Sequence, residues 1–93
     1  MANRSEFIRA VRAKIDTPEK WCKGDFSTPD GRHCLAGAAL AVISAEGMPS
    51  CIEPSVAKIL GFKVMHEITQ WNDAPERTHA EVLARLDEVI NRD

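Results

Sequence analysis

Apolar residues recur at helical spacing near both ends of this chain and form an unbroken block in its middle. Near the start, Phe7, Ile8, Val11 and Ile15 fall on one side of a helix, and Asn3 stands three residues before Glu6 as a capping box requires. A helix from about Arg4 to Ile15 is predicted. Thr17 and Pro18 then supply an N-cap and a first-turn proline, so Glu19 to Lys23 reads as one short turn ended by Gly24, with Trp21 facing inward.

The stretch Ser27-Thr-Pro-Asp-Gly31 carries turn chemistry, and Asp30-Gly31 suits a tight reversal. After it, Cys34 to Ala45 is apolar on every side, which predicts a helix surrounded by other elements. Its small residues Ala36, Gly37, Ala38 and Ala41 would let neighbouring backbones come close. Gly47, Pro49 and Pro54 break the chain, and Val56, Ile59 and Leu60 form one side of a short helix ended by Gly61.

Between Phe62 and Trp71 two periods compete: Phe62 and Val64 alternate like a strand, while Val64, Ile68 and Trp71 fit the preferred helix. The last segment is plainer. Thr78 and Glu81 form a capping box, and Val82, Leu83, Leu86, Val89 and Ile90 make one apolar stripe. On its outer face, Glu81 with Arg85 and Glu88 with Arg92 are spaced to pair. The pattern as a whole predicts an all-α fold, a compact small bundle of four to five helices around a buried Ala/Gly-rich helix. There is room for a short hairpin near residues 25–33, and residues 1–93 read as a single domain.

Composition refines this picture in two ways. With three Phe, two Trp and no Tyr, the core must be aliphatic and each Trp becomes an anchor. A formal net charge of −2 argues against a surface devoted to phosphate. Charge is nonetheless polarised, six basic against three acidic residues from Arg4 to Lys23 and six acidic against three basic from Asp73 to Asp93. Neither stretch is a run of like charges, so solvated helix faces are the simpler reading. No apolar run approaches the roughly 18 residues of a membrane span. Cys22, Cys34 and Cys51 are odd in number and follow no targeting segment, so free thiols in the cytoplasm are expected.

Chemistry centres on Cys34, placed where the Asp30-Gly31 turn meets the start of the buried helix. Unpaired N–H groups there would favour a thiolate, with His79 as base and Asp73 or Asn72 orienting it. Against that stands the ordinary fate of free cysteines, which is to be buried as small apolar residues, and this reading outweighs the other. His33 is expected to face solvent. No metal site is expected, because Cys22, His33, Cys34, Cys51, His66 and His79 lack ligand spacing. No cofactor is implied either, since the glycines form no phosphate-cradling cluster. A helix-turn-helix over Ala38 to Leu60 is disfavoured by Pro49 and Pro54 and by a second helix whose one basic residue is Lys58.

Three fragments in order carry a resemblance: Pro18-Glu-Lys-Trp-Cys-Lys-Gly24, Gly31-Arg-His-Cys-Leu-Ala-Gly-Ala-Ala-Leu40 and Trp71-Asn-Asp-Ala-Pro-Glu-Arg-Thr-His-Ala-Glu-Val-Leu83. Together they are similar to a domain-of-unknown-function family of bacteria and their phages. The resemblance covers most of the chain, gives out between Gly47 and Phe62, and supplies no reaction. It marks Trp21, Cys22, Gly24, Cys34, Gly37, Trp71, Asn72, Asp73, Thr78 and His79. In these segments Trp71 reads as an anchor, Asn72 as a left-handed helix end, Asp73 and Pro75 as turn residues and Thr78 as a cap. Trp21, Lys23, Trp71 and Asn72 are the candidate binding residues.

The expected function is that of a small non-enzymatic interaction protein with a protein partner, since a domain this short has little room for both a core and a closed active site. A cysteine-dependent hydrolase or transferase using Cys34, His79 and Asp73 is the alternative. A nucleic-acid-binding helical domain is the third reading.

Overall fold

The first apolar stripe folds as helix α1 (Arg4–Lys14) in a computed structural model that describes residues 4–47 and 53–92. Asn3, half of the expected capping box, lies outside the described residues, as does Cys51. Helix α2 (Leu35–Ala45) is the apolar block, α3 (Glu53–Ile59) and α4 (Met65–Asn72) follow, and α5 (His79–Arg92) is the final amphipathic segment. Among the described residues there is no strand.

The principal helix contacts run in the order α5, α1, α2, α4, α3. Both terminal helices were expected to close over α2, but α5 packs chiefly on α1, and α2 lies between α1 and α4 in this series of contacts. Ile8, Val11 and Ile15 from the α1 segment, Leu35 of α2, and Val82 and Leu86 of α5 are all fully buried. Burial of such side chains stabilises by roughly 1.5–3 kcal/mol each. Arg12 crosses from α1 to α5, its Nε donating to Asp87 Oδ1 at 2.8 Å. That partly exposed pair adds only about 0–1 kcal/mol.

Helix ends follow local chemistry. Cys34 is the N-cap of α2, its Sγ accepting a hydrogen bond from the Gly37 N–H at 3.3 Å. At α5 the capping box forms, with the Thr78 N–H donating to Glu81 Oε1 at 3.0 Å and the Glu81 N–H donating to Thr78 Oγ1 at 3.2 Å. The Thr78 N–H, with help from the Thr78 hydroxyl and the Arg77 guanidinium, holds the Glu81 carboxyl below the usual carboxylate range. Arg77, not Arg85, pairs with Glu81 at 3.2 Å. Arg85 lies instead over the Phe62 and Trp71 rings, at 5.1 and 5.2 Å from their centroids. The side chain of Arg92, the expected partner of Glu88, lies outside the described residues.

Residues 62–64 are not helical because α3 ends in a reversal. Gly61 takes a φ of 93°, and the Gly61 and Phe62 N–H groups donate back to Lys58 O at 3.0 Å and Ala57 O at 2.8 Å. Phe62 is thereby aimed at Trp71, edge to face with centroids 5.8 Å apart. The helical alternative holds from Met65 onward.

The segment before α2 contains less regular structure than a hairpin. Pro18–Lys20 is one 3-10 turn, and Thr17 makes no side-chain cap. Gly31, with φ of 92°, closes the reversal from Thr28 to Arg32, where the Thr28 N–H donates to Arg32 O at 2.9 Å. Around it only isolated bridges form, His33 pairing with Ser27 on one side and Trp21 on the other. Strand pairing stops there because the chain turns at once into α2.

Gly37 sets how closely this loop can lie on α2. A Cβ on Gly37 would sit 1.7 Å from the Phe26 carbonyl oxygen, which itself accepts from the Cys34 N–H at 3.3 Å. Neither group can retreat without losing that bond. Gly37→Ala is therefore expected to destabilise by at least about 3 kcal/mol, despite alanine's better helix propensity. Urea unfolding checks this; a variant as stable as the wild type would mean that the loop does not lie on the helix.

Candidate functional site

Asn72, the last residue of α4, is fully buried and is the one buried polar side chain among the described residues. Its Oδ1 accepts from the Trp21 indole N–H at 2.7 Å and from the Leu35 backbone N–H at 3.1 Å. Its Nδ2 donates to Cys22 O at 3.1 Å and to Asp73 Oδ1 at 2.9 Å. One carboxamide thus joins the Trp21-Cys22 turn, the first turn of α2 and the end of α4. It does not adopt a left-handed conformation, since among the described residues positive φ is confined to glycine.

Neighbouring residues extend the same joint. Asp73 Oδ1 also accepts from the Gly24 N–H at 3.0 Å. Lys23 Nζ donates to Ala74 O at 2.8 Å and lies 5.7 Å from the centroid of the Trp21 ring. On the other side, Arg77 lies over Trp71 at 4.1 Å and its Nε donates to the Trp71 carbonyl at 2.9 Å. Of the candidate binding residues, Trp21, Lys23 and Asn72 therefore hold one another in place, while Trp71 is braced separately by Phe62, Arg77 and Arg85.

Cys34 and Asp73 come together; His79 does not join them by any hydrogen bond. Cys34 and Asp73 share the wall of a pocket of about 390 Å³, with Gly24, Asp25, Phe26 and Thr69. His79 Nε2 lies 2.6 Å from the Ile15 carbonyl, an atom that only accepts, so Nε2 carries a proton and donates it there. The ring also leans on Trp21, centroids 5.9 Å apart. His33, half-buried, meets Ser27 Oγ through Nδ1 at 2.8 Å.

The electrostatics oppose a thiolate. Burial pushes the Cys34 thiol up, and the Gly37 and Ala36 N–H groups offset only part of that; Asp73 adds to the rise. Cys22 is raised as well, first by burial and then by the charges of Cys34, Asp25 and Asp73. A helix start lowers a cysteine's pKa when solvent can reach it. Here the same N–H groups serve as cap donors beneath the Phe26 carbonyl.

Sequence reasoning missed Asp25, Phe26 and Thr69 in the pocket wall. One signal was available: Phe26 is an aromatic with no periodic partner in a turn-rich stretch, and in the structure the residue is exposed. Among the described residues no group of three or more His, Cys, Asp or Glu is placed to hold a metal ion. No helix among them is long and apolar enough to cross a membrane. Of the basic residues between Arg4 and Lys23, Arg12 pairs with Asp87, Lys20 with Asp16 at 3.1 Å, and Lys23 with main-chain carbonyls.

Asn72→Ala leaves the Leu35 N–H, the Trp21 indole and the Cys22 carbonyl without partners. Each such loss costs about 1–3 kcal/mol where water cannot enter, so a total of about 3–5 kcal/mol is expected in urea unfolding. Asp73→Asn, which keeps an acceptor for Gly24, should cost no more than about 1 kcal/mol. The reverse order would remove Asn72 from the centre of the account.

Comparison with known proteins bears out the resemblance to a family of unknown function. The model of a family of unknown function, DUF6197, matches residues 1–92. No curated protein and no solved structure matches the chain. Matched by that model over nearly its whole length, the chain whose turn, capped helix and Asn-Asp segment meet at Asn72 belongs to this family of unknown function.

Proposed function

We propose that this protein is a small non-enzymatic interaction protein, cytoplasmic and of bacterial or phage origin, that acts by binding a protein partner. The observation that carries the reading is the use made of Cys34. Its Sγ is the cap of α2, it is 2% exposed, and burial raises its pKa. His79, the base that a thiol enzyme would need, is held by the Ile15 carbonyl instead. Open to solvent beside it is a pocket of about 390 Å³ lined in part by the exposed Phe26, a feature suited to contact with another molecule.

The test has a chemical arm and a binding arm. With a small alkylating reagent, native Cys34 is expected to react more slowly than half-buried Cys22 across neutral pH, and to become reactive only in denaturant. A photo-crosslinking residue in place of Phe26 is expected to capture a discrete protein in the native host. Rapid modification of native Cys34 below its reference pKa, or a crosslinker that captures nothing, would overturn the proposal.

A further inference from the structure

The pocket beside Cys34 has carboxylates that the fold leaves without a countercharge. The Asp25 side chain has no hydrogen-bond or ion-pair partner among the described residues, its backbone carbonyl alone accepting from the Cys22 thiol at 3.4 Å, and the Asp73 carboxylate engages the protein through Oδ1 alone. The cations closest in sequence are used elsewhere. Lys23 is bound to the Ala74 and Pro75 carbonyls, at 2.8 and 3.4 Å, and Arg32 pairs with Asp30 at 3.2 Å. Phe26 lines the same pocket as these carboxylates, its backbone close against Gly37 and the residue 54% exposed. A pocket of about 390 Å³ therefore brings together an exposed aromatic residue and two carboxylates beside the start of α2.

We propose that this pocket receives an arginine side chain of the protein partner, with the guanidinium against the Phe26 ring and its N–H groups donating to Asp25 and Asp73. This rests on the interaction reading above and names the chemistry recognised. Charge complementarity selects a cation, and the combination of ring and carboxylates selects a guanidinium over an ammonium. A planar guanidinium stacks on an aromatic face and presents donors in its own plane at the same time. The protein makes the same arrangement internally, where Arg77 lies 4.1 Å over Trp71 and reaches Glu81 at 3.2 Å. Phosphate-bearing partners are disfavoured at this surface by the same unpaired carboxylates.

The intact protein can be titrated with acetyl-Gly-Arg-Gly-amide while backbone amide signals are followed by NMR. Saturable shifts are expected at Gly24, Asp25, Phe26, Thr69 and Asp73. The citrulline peptide, equal in shape and uncharged, should bind about tenfold more weakly or not at all. Asp25→Asn should weaken the arginine peptide about three- to fivefold, as should Phe26→Ser. Both side chains are exposed at the rim, so these variants should keep the wild-type spectrum elsewhere.

Equal binding of arginine and citrulline peptides, shifts confined to other residues, or unchanged affinity in Asp25→Asn would each overturn the proposal. If no arginine peptide binds while the Phe26 crosslinker still captures a protein, this site chemistry fails and the interaction reading stands. If the peptide binds at the pocket but no protein is captured, the site stands and the choice of a macromolecular partner fails.

Discussion

The Asn72 carboxamide is the constraint on which the described structure depends. It makes hydrogen bonds to Trp21, Cys22, Leu35 and Asp73, residues brought together from three separate parts of the chain. Apolar burial alone would let α1, α2 and α5 cluster with considerable freedom, because contact between aliphatic side chains has no preferred direction. A buried amide with every donor and acceptor in use does have one. It fixes where the turn before α2 must lie and how far α4 may extend.

Much of the remaining detail is a consequence of that placement. Once the Trp21-Cys22 turn is held against α4, the loop through Phe26 passes directly over the first turn of α2, and only glycine at position 37 leaves room for it. Cys34 is then shut in and serves as a cap, so the feature that most resembled a nucleophile is used for stability. Lys23, Arg77 and Arg85 lie on aromatic rings, where their charges brace Trp21, Trp71 and Phe62. The Asp25 carboxylate and Asp73 Oδ2, which take no part in the joint's hydrogen bonds, line the pocket together with Phe26.

The helical architecture was legible because amphipathic stripes and caps are local. Thr78 with Glu81, Gly61, and the stripe from Val82 to Val89 each announce themselves within a few residues, and each is realised. Contacts between distant residues were not legible. Asn72 read as a helix end because its sequence neighbours look like a turn, and nothing local reveals that Trp21 and Leu35 donate to it. Glu81 was assigned to Arg85 by spacing, but Arg77 already lies over Trp71 and reaches the same carboxylate first. For the site, Cys34 and Asp73 stand out in the sequence and do share a wall, whereas Phe26 and Asp25 give no periodic signal and His79 is held by the Ile15 carbonyl against Trp21.

The most direct test of the joint is hydrogen exchange at the two donors that share Asn72 Oδ1, the Trp21 indole N–H and the Leu35 amide. Both bonds break only when the joint opens, so the two protons should show protection within about tenfold of each other, lost together as urea is added. A Trp21 indole proton exchanging at the rate of free tryptophan while the Leu35 amide stays protected would contradict the account, because the turn and the helix would then be held by something other than Asn72.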